Sequence, residues 1–265
     1  MQSEHWRCQC KKPVVNVVID VGNSRINWAS VEQGALVGVG NALHVDSLDL
    51  AFETLAHTLP KHAERVMISN VAGEAFARRL VKLSADCWSC EPEFVEPVAV
   101  QCGVRSAYEH PEQIGSDRWA SVIAAHNAIA GPACVIDAGT SVTFDAVDES
   151  GQHLGGLIFP GPRMMISALD TKTSDISVNE VPTRPPQGIS ILGQNTDESV
   201  GHGVMLALAA GLNRAIRLVE GELKADSKVF LTGGDAELFL PLLEKDVDHR
   251  KNLILEGLAF MISKT

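Results

Sequence analysis

The stretch Val17-Val18-Ile19-Asp20-Val21-Gly22-Asn23-Ser24-Arg25 returns far downstream as Val135-Ile136-Asp137-Ala138-Gly139-Thr140-Ser141. Asp20 finds Asp137, and Gly22 finds Gly139, at a common offset of 117 residues; Ser24, Ala29 and Gly34 find Ser141, Ala146 and Gly151 at the same offset. The repeat predicts an internal duplication, and therefore two halves of similar build. Each copy reads as a buried apolar strand that delivers a carboxylate to its end. The Gly and the small hydroxyl or amide residues after it let backbone N–H groups approach an anion. Taken singly, either copy is also an ordinary strand ending in a turn, with Asp as the turn-former. Taken together, they describe a phosphate clamp built twice.

The residues after Gly22 narrow the fold further. Residues 23–31 stay strand-like up to a turn at Gln33-Gly34, so no helix begins after the glycine and a dinucleotide fingerprint is disfavoured. No Gly-x-x-x-x-Gly-Lys-Ser/Thr run occurs either, which excludes a P-loop. Strands first and helices after predict an actin-like half in place of a Rossmann unit. Helical periodicity is expected over 48–59 and 74–83, with strands over 65–71 and 94–100. A polar loop over 108–118 leads into an Ala-rich helix over 119–129 that joins the halves. The second half restarts with strands over 133–137 and 142–147, a turn at 149–151 and a Gly-rich strand to Gly161. Helices over 163–169, 197–219 and 236–243, a strand over 228–231 and a closing segment over 252–260 complete it. Between them, 171–187 is polar and Pro-rich, the longest irregular run of the chain. The expected division is a flexible extension 1–13, a first half 14–130 and a second half 131–265.

Lys and Arg number 22 against 33 Asp and Glu in 265 residues, a formal charge of −11 that disfavours nucleic acid or an anionic membrane as partner. Arg78, Arg79 and Lys82 sit at helical spacing and read as a solvated face. No apolar run approaches the ~18 residues of a membrane span, and the first dozen residues are unlike a signal peptide. A soluble cytoplasmic protein is expected. Six cysteines in such a chain read as reduced thiols. Cys8-x-Cys10 with Cys87-x-x-Cys90 could supply four zinc ligands, although the first pair lacks the usual two-residue spacing. His110, His126 and His202 have no acidic partners at metal-ligand spacing, and Met164-Met165 reads as core packing.

Asp20-x-Gly22-Asn23-Ser24, Gly115-Ser116-Asp117-Arg118, Asp137-Ala138-Gly139-Thr140 with Gly155-Gly156-x-x-x-Pro160-Gly161, and Thr232-Gly233-Gly234 occur in this order. As a set, from about residue 14 to 260, they resemble the type III pantothenate kinases of the acetate and sugar kinase/actin superfamily. The resemblance implies an α/β protein with a duplicated ribonuclease H-like (actin-like ATPase) fold, two similar halves with mixed sheets flanked by helices. It implies ATP-dependent phosphorylation of pantothenate to 4'-phosphopantothenate, the first step of coenzyme A biosynthesis, by a homodimer. The helical stretch 203–218 is a candidate contact surface.

A kinase of this superfamily holds nucleotide, metal and acceptor hydroxyl in line and neutralises charge on the transferring group. The resemblance assigns ATP binding to Asp20, Gly22, Asn23, Ser24, Arg25, Asn27, Thr140, Gly233 and Gly234. Asp20 would hold Mg²⁺ through water, an ion that dehydrates reluctantly. Asp137 would hold a monovalent cation, K⁺ or NH₄⁺, offsetting charge that a P-loop lysine would otherwise meet. Several relatives carry Lys where this chain has Asn27. Asp117 becomes the general base for the primary hydroxyl, and Arg118 a fixed cation beside it that can pair with an anionic substrate. Ser116 and Asp117 read equally as the cap and first-turn acid of a helix. Tyr108, the single tyrosine, joins Gly115, Ser116, Asp117 and Arg118 on the pantothenate, and Thr196 reaches it from the partner protomer. Gly155, Gly156, Pro160 and Gly161 either let backbone pass close to ligand or form a tight turn between core strands. Two rival readings are another small-molecule kinase of the same superfamily and a non-enzymatic regulator, an accessory factor for transcription, that kept the fold.

Overall fold

A computed structural model describes residues 14–172 and 192–264. The extension 1–13, with Cys8 and Cys10, and most of the Pro-rich run 171–187 lie outside the described residues.

Strands β1 (Val15–Val21), β2 (Arg25–Glu32) and β3 (Ala35–Leu43) form the expected antiparallel meander. Helix α1 (Leu48–Thr58), capped by the Ser47 hydroxyl, returns the chain to β4 (Arg65–Asn70), which lies parallel to β1; α2 (Glu74–Trp88) returns it to β5 (Glu93–Phe94) beside β4. The hairpin β6 (Val100–Gln101) and β7 (Val104–Arg105) precedes α3 (Ser116–Ala128). The second half repeats the scheme with β8 (Ala133–Ala138), β9 (Ser141–Val147), β10 (His153–Pro160), α4 (Pro162–Lys172), α5 (Thr196–Leu223), β11 (Lys228–Thr232), α6 (Ala236–Phe239), β12 (Val247–His249) and α7 (Leu253–Lys264). The two five-stranded sheets run β3-β2-β1-β4-β5 and β10-β9-β8-β11-β12, the same order with the same strand directions.

Register corrects one detail of the repeat. Val21 faces Ile26 across the first hairpin, whereas Ala138 faces Val142 across the second, so the second turn is one residue shorter. Beyond the turns the structural offset falls to 116. Val18 faces Ala29 and its equivalent Val135 faces Asp145, so Ala29 corresponds to Asp145 and the identity of Ala29 with Ala146 is coincidental.

The expected strand over 94–100 stops after Phe94. Val95 gives one further N–H to the Ile68 carbonyl (2.8 Å), and Pro97 then has no donor for a ladder. Helix α2 outruns its expected end because no breaker precedes Ser89, which closes it in the left-handed conformation (φ 55). Helix 236–243 contracts to the single turn α6.

Helices α3 and α7 cross between the sheets. The C-terminal α7 packs on β1, β2, β3 and β4, while α3 packs on β8, β9 and β4. A side chain at Gly257 would strike the Ala120 carbonyl, so the crossing is as close as backbones allow. One buried cluster consequently draws Val18 and Met67 from the first half, Trp119 and Ile123 from α3, Val135 and Phe230 from the second half, and Leu255 and Leu258 from α7. Arg65 fixes the arrangement at the edge: Nε and Nη2 grip Glu93 (2.7 and 2.6 Å), and Nη1 donates to the Ile262 carbonyl (2.9 Å).

Candidate active site

Both repeated turns sit at the C-terminal ends of the central strands β1 and β8. The Gly22 N–H donates to Arg25 O (3.0 Å) and the Gly139 N–H to Ser141 O (2.9 Å), and the turns meet where Ser24 Oγ lies 2.8 Å from Thr140 Oγ1. Asn23 and Arg25 are exposed at the rim of the first turn. Behind it, a His44 ring nitrogen bonds the Gly22 carbonyl (2.9 Å) while the ring packs edge-on against Phe76.

Asp20 is the penultimate residue of β1, at 3 % exposure. Its cross-strand neighbour Asn27 donates to Oδ2 (3.1 Å), and Oδ1 is buried without a hydrogen-bond partner among the described residues. Burial, then the charge of Asp117, push its pKa up from 3.8 to about 7 against the Asn27 hydrogen bond and the polar Ser69 side chain nearby. Asp137 is likewise raised to about 7, by burial and then by Asp117, Asp20 and Asp145. Two glycines make room around it. A side chain at Gly233 (φ 98) would strike Asp137 Oδ1 and the Ala138 carbonyl, and one at Gly161 would strike the Gly139 and Thr140 carbonyls. The Asp235 N–H ties the Thr232-Gly233-Gly234 turn to Ala138 O (2.8 Å), and the Gly161 N–H ties the Pro160-Gly161 turn to Thr140 O (3.0 Å).

Asp117 stands in the first turn of α3, behind Gly115, which is the cap residue; Ser116 is not the cap. The Ser116 hydroxyl instead accepts from the Asn70 N–H (3.1 Å) and lies 3.1 Å from Ser69 Oγ, which docks the helix start on the end of β4 next to Asp20. Asp117 Oδ1 accepts the Arg118 N–H (2.7 Å), and the bare Gly115 leaves the carboxylate its space. Burial raises the Asp117 pKa; the Arg118 N–H and charge oppose the rise, and the charge of Asp145 adds to it. Three carboxylates thus share one low-dielectric region and act on one another's protonation.

Arg118 does not offer its charge freely, as the sequence suggested. Its guanidinium forks onto Asp145, Nε to Oδ2 (2.8 Å) and Nη2 to Oδ1 (2.7 Å), and only Nη1 turns toward the Tyr108 hydroxyl (3.4 Å). Burial works against the charge, but the fork outweighs it and the arginine pKa is pushed up. His153 completes the cluster, with Nε2 3.0 Å from Asp145 Oδ1. Asp145 and His153 escaped the sequence reading. The available signal was a carboxylate in the middle of an otherwise buried strand, Phe144-Asp145-Ala146-Val147.

Thr196 opens α5 in a separate groove beside α4, lined by Met165, Leu169, Val200 and Val204, with no described contact to the three aspartates. Cys87 and Cys90 are free thiols, and no group of three or more His, Cys, Asp or Glu among the described residues is arranged to hold a metal by itself. Among the described residues no helix is long and apolar enough to cross a membrane.

Solved structures match this architecture over nearly the whole chain. A protein described as a conserved Baf family transcriptional activator from Campylobacter jejuni superposes with a TM-score of 0.55 at 20% identity, over 94% of this chain and 98% of that one. The activator of 2-hydroxyisocaproyl-CoA dehydratase from Clostridium difficile, with bound ADPNP, does so with a TM-score of 0.53 at 10% identity, over 94% and 92%. Two mixed five-stranded sheets with their helices make this an actin-like ATPase fold. The sequence is more specific: the type III pantothenate kinase family matches residues 16–218. Type III pantothenate kinases from Nitrosococcus oceani (33% identical over 254 residues, 94% of each chain) and Nitrosomonas eutropha (34% over 253, 92% of this chain and 93% of the other) match almost end to end. The chain belongs to the type III pantothenate kinase family, whose activity is the phosphorylation of pantothenate in coenzyme A biosynthesis.

Proposed function

We propose that the three coupled aspartates divide the work of one phosphoryl transfer from ATP to the primary hydroxyl of pantothenate. The observation that carries this reading is the meeting of the duplicated turns at Ser24 and Thr140, with Asp117 acting electrostatically on the carboxylate at the base of each. Gly22, Asn23, Ser24, Arg25 and Asn27 on one side, and Thr140, Gly233 and Gly234 on the other, border the triphosphate and adenosine. Tyr108, Gly115, Ser116 and Arg118 border the pantothenate.

The donor set suits hard cations. Asp20, with a buried and unpartnered Oδ1, would hold Mg²⁺ largely through water, and Asp137 would hold K⁺ or NH₄⁺. Such ions supply positive charge to the phosphate oxygens, and they favour the ionised forms of carboxylates that burial otherwise neutralises. As the acceptor oxygen bonds to the γ-phosphorus and the bridge to the β-phosphate breaks, Asp117 takes the hydroxyl proton and ADP departs. The N-terminal N–H groups of α3 keep that carboxylate oriented.

Thr196 completes the substrate site of a second protomer in a homodimer. Support comes from the exposed apolar side chains of α5, Leu206 and Leu218, which continue past Gly203, Ala207 and Ala210. The cytoplasm, reducing and rich in ATP and K⁺, is the compartment this chemistry requires. A coupled ADP-release assay, with and without pantothenate and in K⁺ against Na⁺ buffer, tests the whole. Turnover is expected to need pantothenate and Mg²⁺ and to prefer K⁺. ADP release indifferent to pantothenate would remove the assignment.

A further inference from the structure

Arg118 and Tyr108 owe their geometry to two residues that the proposed mechanism does not use. Asp145 is 1 % exposed and holds the guanidinium by both edges, a bidentate arrangement that fixes the plane as well as the position of the arginine. His153, also 1 % exposed, lies against the same Asp145 oxygen. A carboxylate accepts and cannot donate, so Nε2 carries its proton toward Asp145; Nδ1 is buried with no partner among the described residues. The His153 ring stacks on Tyr108 (centroids 6.0 Å, planes 19° apart) and meets the edge of Trp119, whose Nε1 is held by Gln101 Oε1 (2.7 Å). Backbone space is reserved for the cluster: a side chain at Gly156 would collide with Arg118 Nη2 and Asp145 Oδ1.

Nothing about a core requires this. A buried ion pair gives little net stability compared with apolar packing, and an imidazole with one nitrogen unpaired gives less. Its return is orientation. With Nε and Nη2 committed to Asp145, Arg118 has one edge left, Nη1, and that edge is aimed beside the Tyr108 hydroxyl. The two form a paired polar face one helical residue from Asp117.

We propose that Asp145 and His153 are positioning residues for the acceptor substrate, acting chiefly through Arg118 and Tyr108 respectively. This rests on the assignment of Arg118 and Tyr108 to pantothenate. Because a displacement of about 1 Å in a positioned group can change a rate on the order of 100-fold, Asp145→Asn, which keeps the shape but removes half of the fork's charge, is expected to raise the KM for pantothenate at least tenfold. His153→Gln keeps a donor near the Nε2 position and loses the stacked ring, and is expected to raise it by a smaller factor. In His153→Gln the KM for ATP and the equilibrium binding of a fluorescent ATP analogue should move less than twofold, and in Asp145→Asn, whose charge also acts on Asp137, by several-fold less than the pantothenate KM.

A merely structural role would impair both substrates together and would add to any other lesion. Acting through Arg118 predicts instead that Asp145→Asn has no further effect on pantothenate KM in an Arg118→Lys background, since lysine cannot form the fork. Equal loss for ATP and pantothenate, or full additivity with Arg118→Lys, would overturn the proposal. Should Asp145→Asn not fold, His153→Gln decides alone, and unchanged pantothenate kinetics in that variant counts against it. The reading beneath is separable: if Arg118→Lys and Tyr108→Phe leave pantothenate KM unchanged, the substrate assignment itself is wrong. If they shift it and the Asp145 and His153 variants do not, only the positioning role fails.

Discussion

Ser24 Oγ and Thr140 Oγ1 lie 2.8 Å apart across 116 residues of sequence, the point at which the two duplicated turns touch. A hydroxyl pair both donates and accepts, so either group can turn to a phosphate oxygen without leaving a buried orphan behind. Thr140→Val removes that option at nearly constant volume. The expected outcome is an ATP KM raised about tenfold, the lower end of the range for one lost hydrogen bond to a charged group, with pantothenate KM little changed. Initial-rate kinetics with each substrate varied in turn checks it, and a pantothenate effect as large as the ATP effect would contradict it.

Asp117 sits at the start of α3 with its pKa raised chiefly by burial. Asp117→Asn preserves size and the acceptor for the Arg118 N–H but cannot take a proton. A decrease in kcat of roughly 10²–10⁴ is expected, the range for loss of general acid–base catalysis, while both KM values stay within a few-fold. Single-turnover measurements distinguish this from slowed product release. Wild-type-like turnover would mean that another group takes the proton.

The duplicated turns were readable in sequence because everything each needs is local: an apolar strand, a terminal Asp, a Gly, small polar residues. The same holds for the meander, since Gln33-Gly34 separates two strand-like runs. What stayed hidden was decided by partners distant in sequence. Arg118 read as a fixed cation beside Asp117 that could pair with an anionic substrate, because Asp145, which takes up its charge, arrives 27 residues later on a strand whose register is set by a turn one residue shorter than its twin. The packing of α7 on the first sheet likewise depends on contacts that no local pattern encodes, whereas the end of β5 before Pro97 follows from a residue the sequence shows, a proline with no ladder donor.

Asp20 and Asp137 also make stability depend on pH. Both have folded-state pKa values raised from 3.8 to about 7, so between those limits the ligand-free folded protein binds protons that the unfolded chain has released. Their contribution is fully present below pH 3.8 and lost as the pH rises through 7. Thermal scans of the protein without metal or nucleotide should therefore give a falling Tm between pH 5 and 8, with each group contributing on the order of 2 kcal/mol. Asp137→Asn should flatten part of the slope and raise Tm at pH 8 by roughly 3 °C, while its activity falls. A Tm that rises over this interval and is indifferent to Asp137→Asn would contradict the assigned burial effects.

Gly155 and Gly156 stand side by side in β10 for different physical reasons, and alanine separates them. Gly155 has φ 107 with open space where a side chain would go, so Gly155→Ala strains the backbone and collides with nothing. A loss of about 1–3 kcal/mol is expected there, the scale of a non-glycine residue held in such a conformation. Gly156 has ordinary strand geometry but no room, because Arg118 Nη2, Asp145 Oδ1 and the Phe144 carbonyl already occupy the position. Gly156→Ala must push the fork apart or bend β10 away from β9. Its pantothenate KM should therefore rise by more than its Tm loss accounts for, and by more than that of Gly155→Ala at matched stability. Measuring both variants for Tm and for the two KM values compares strain with displacement inside one strand, and the opposite ordering would show that β10 yields before the Arg118–Asp145 pair does.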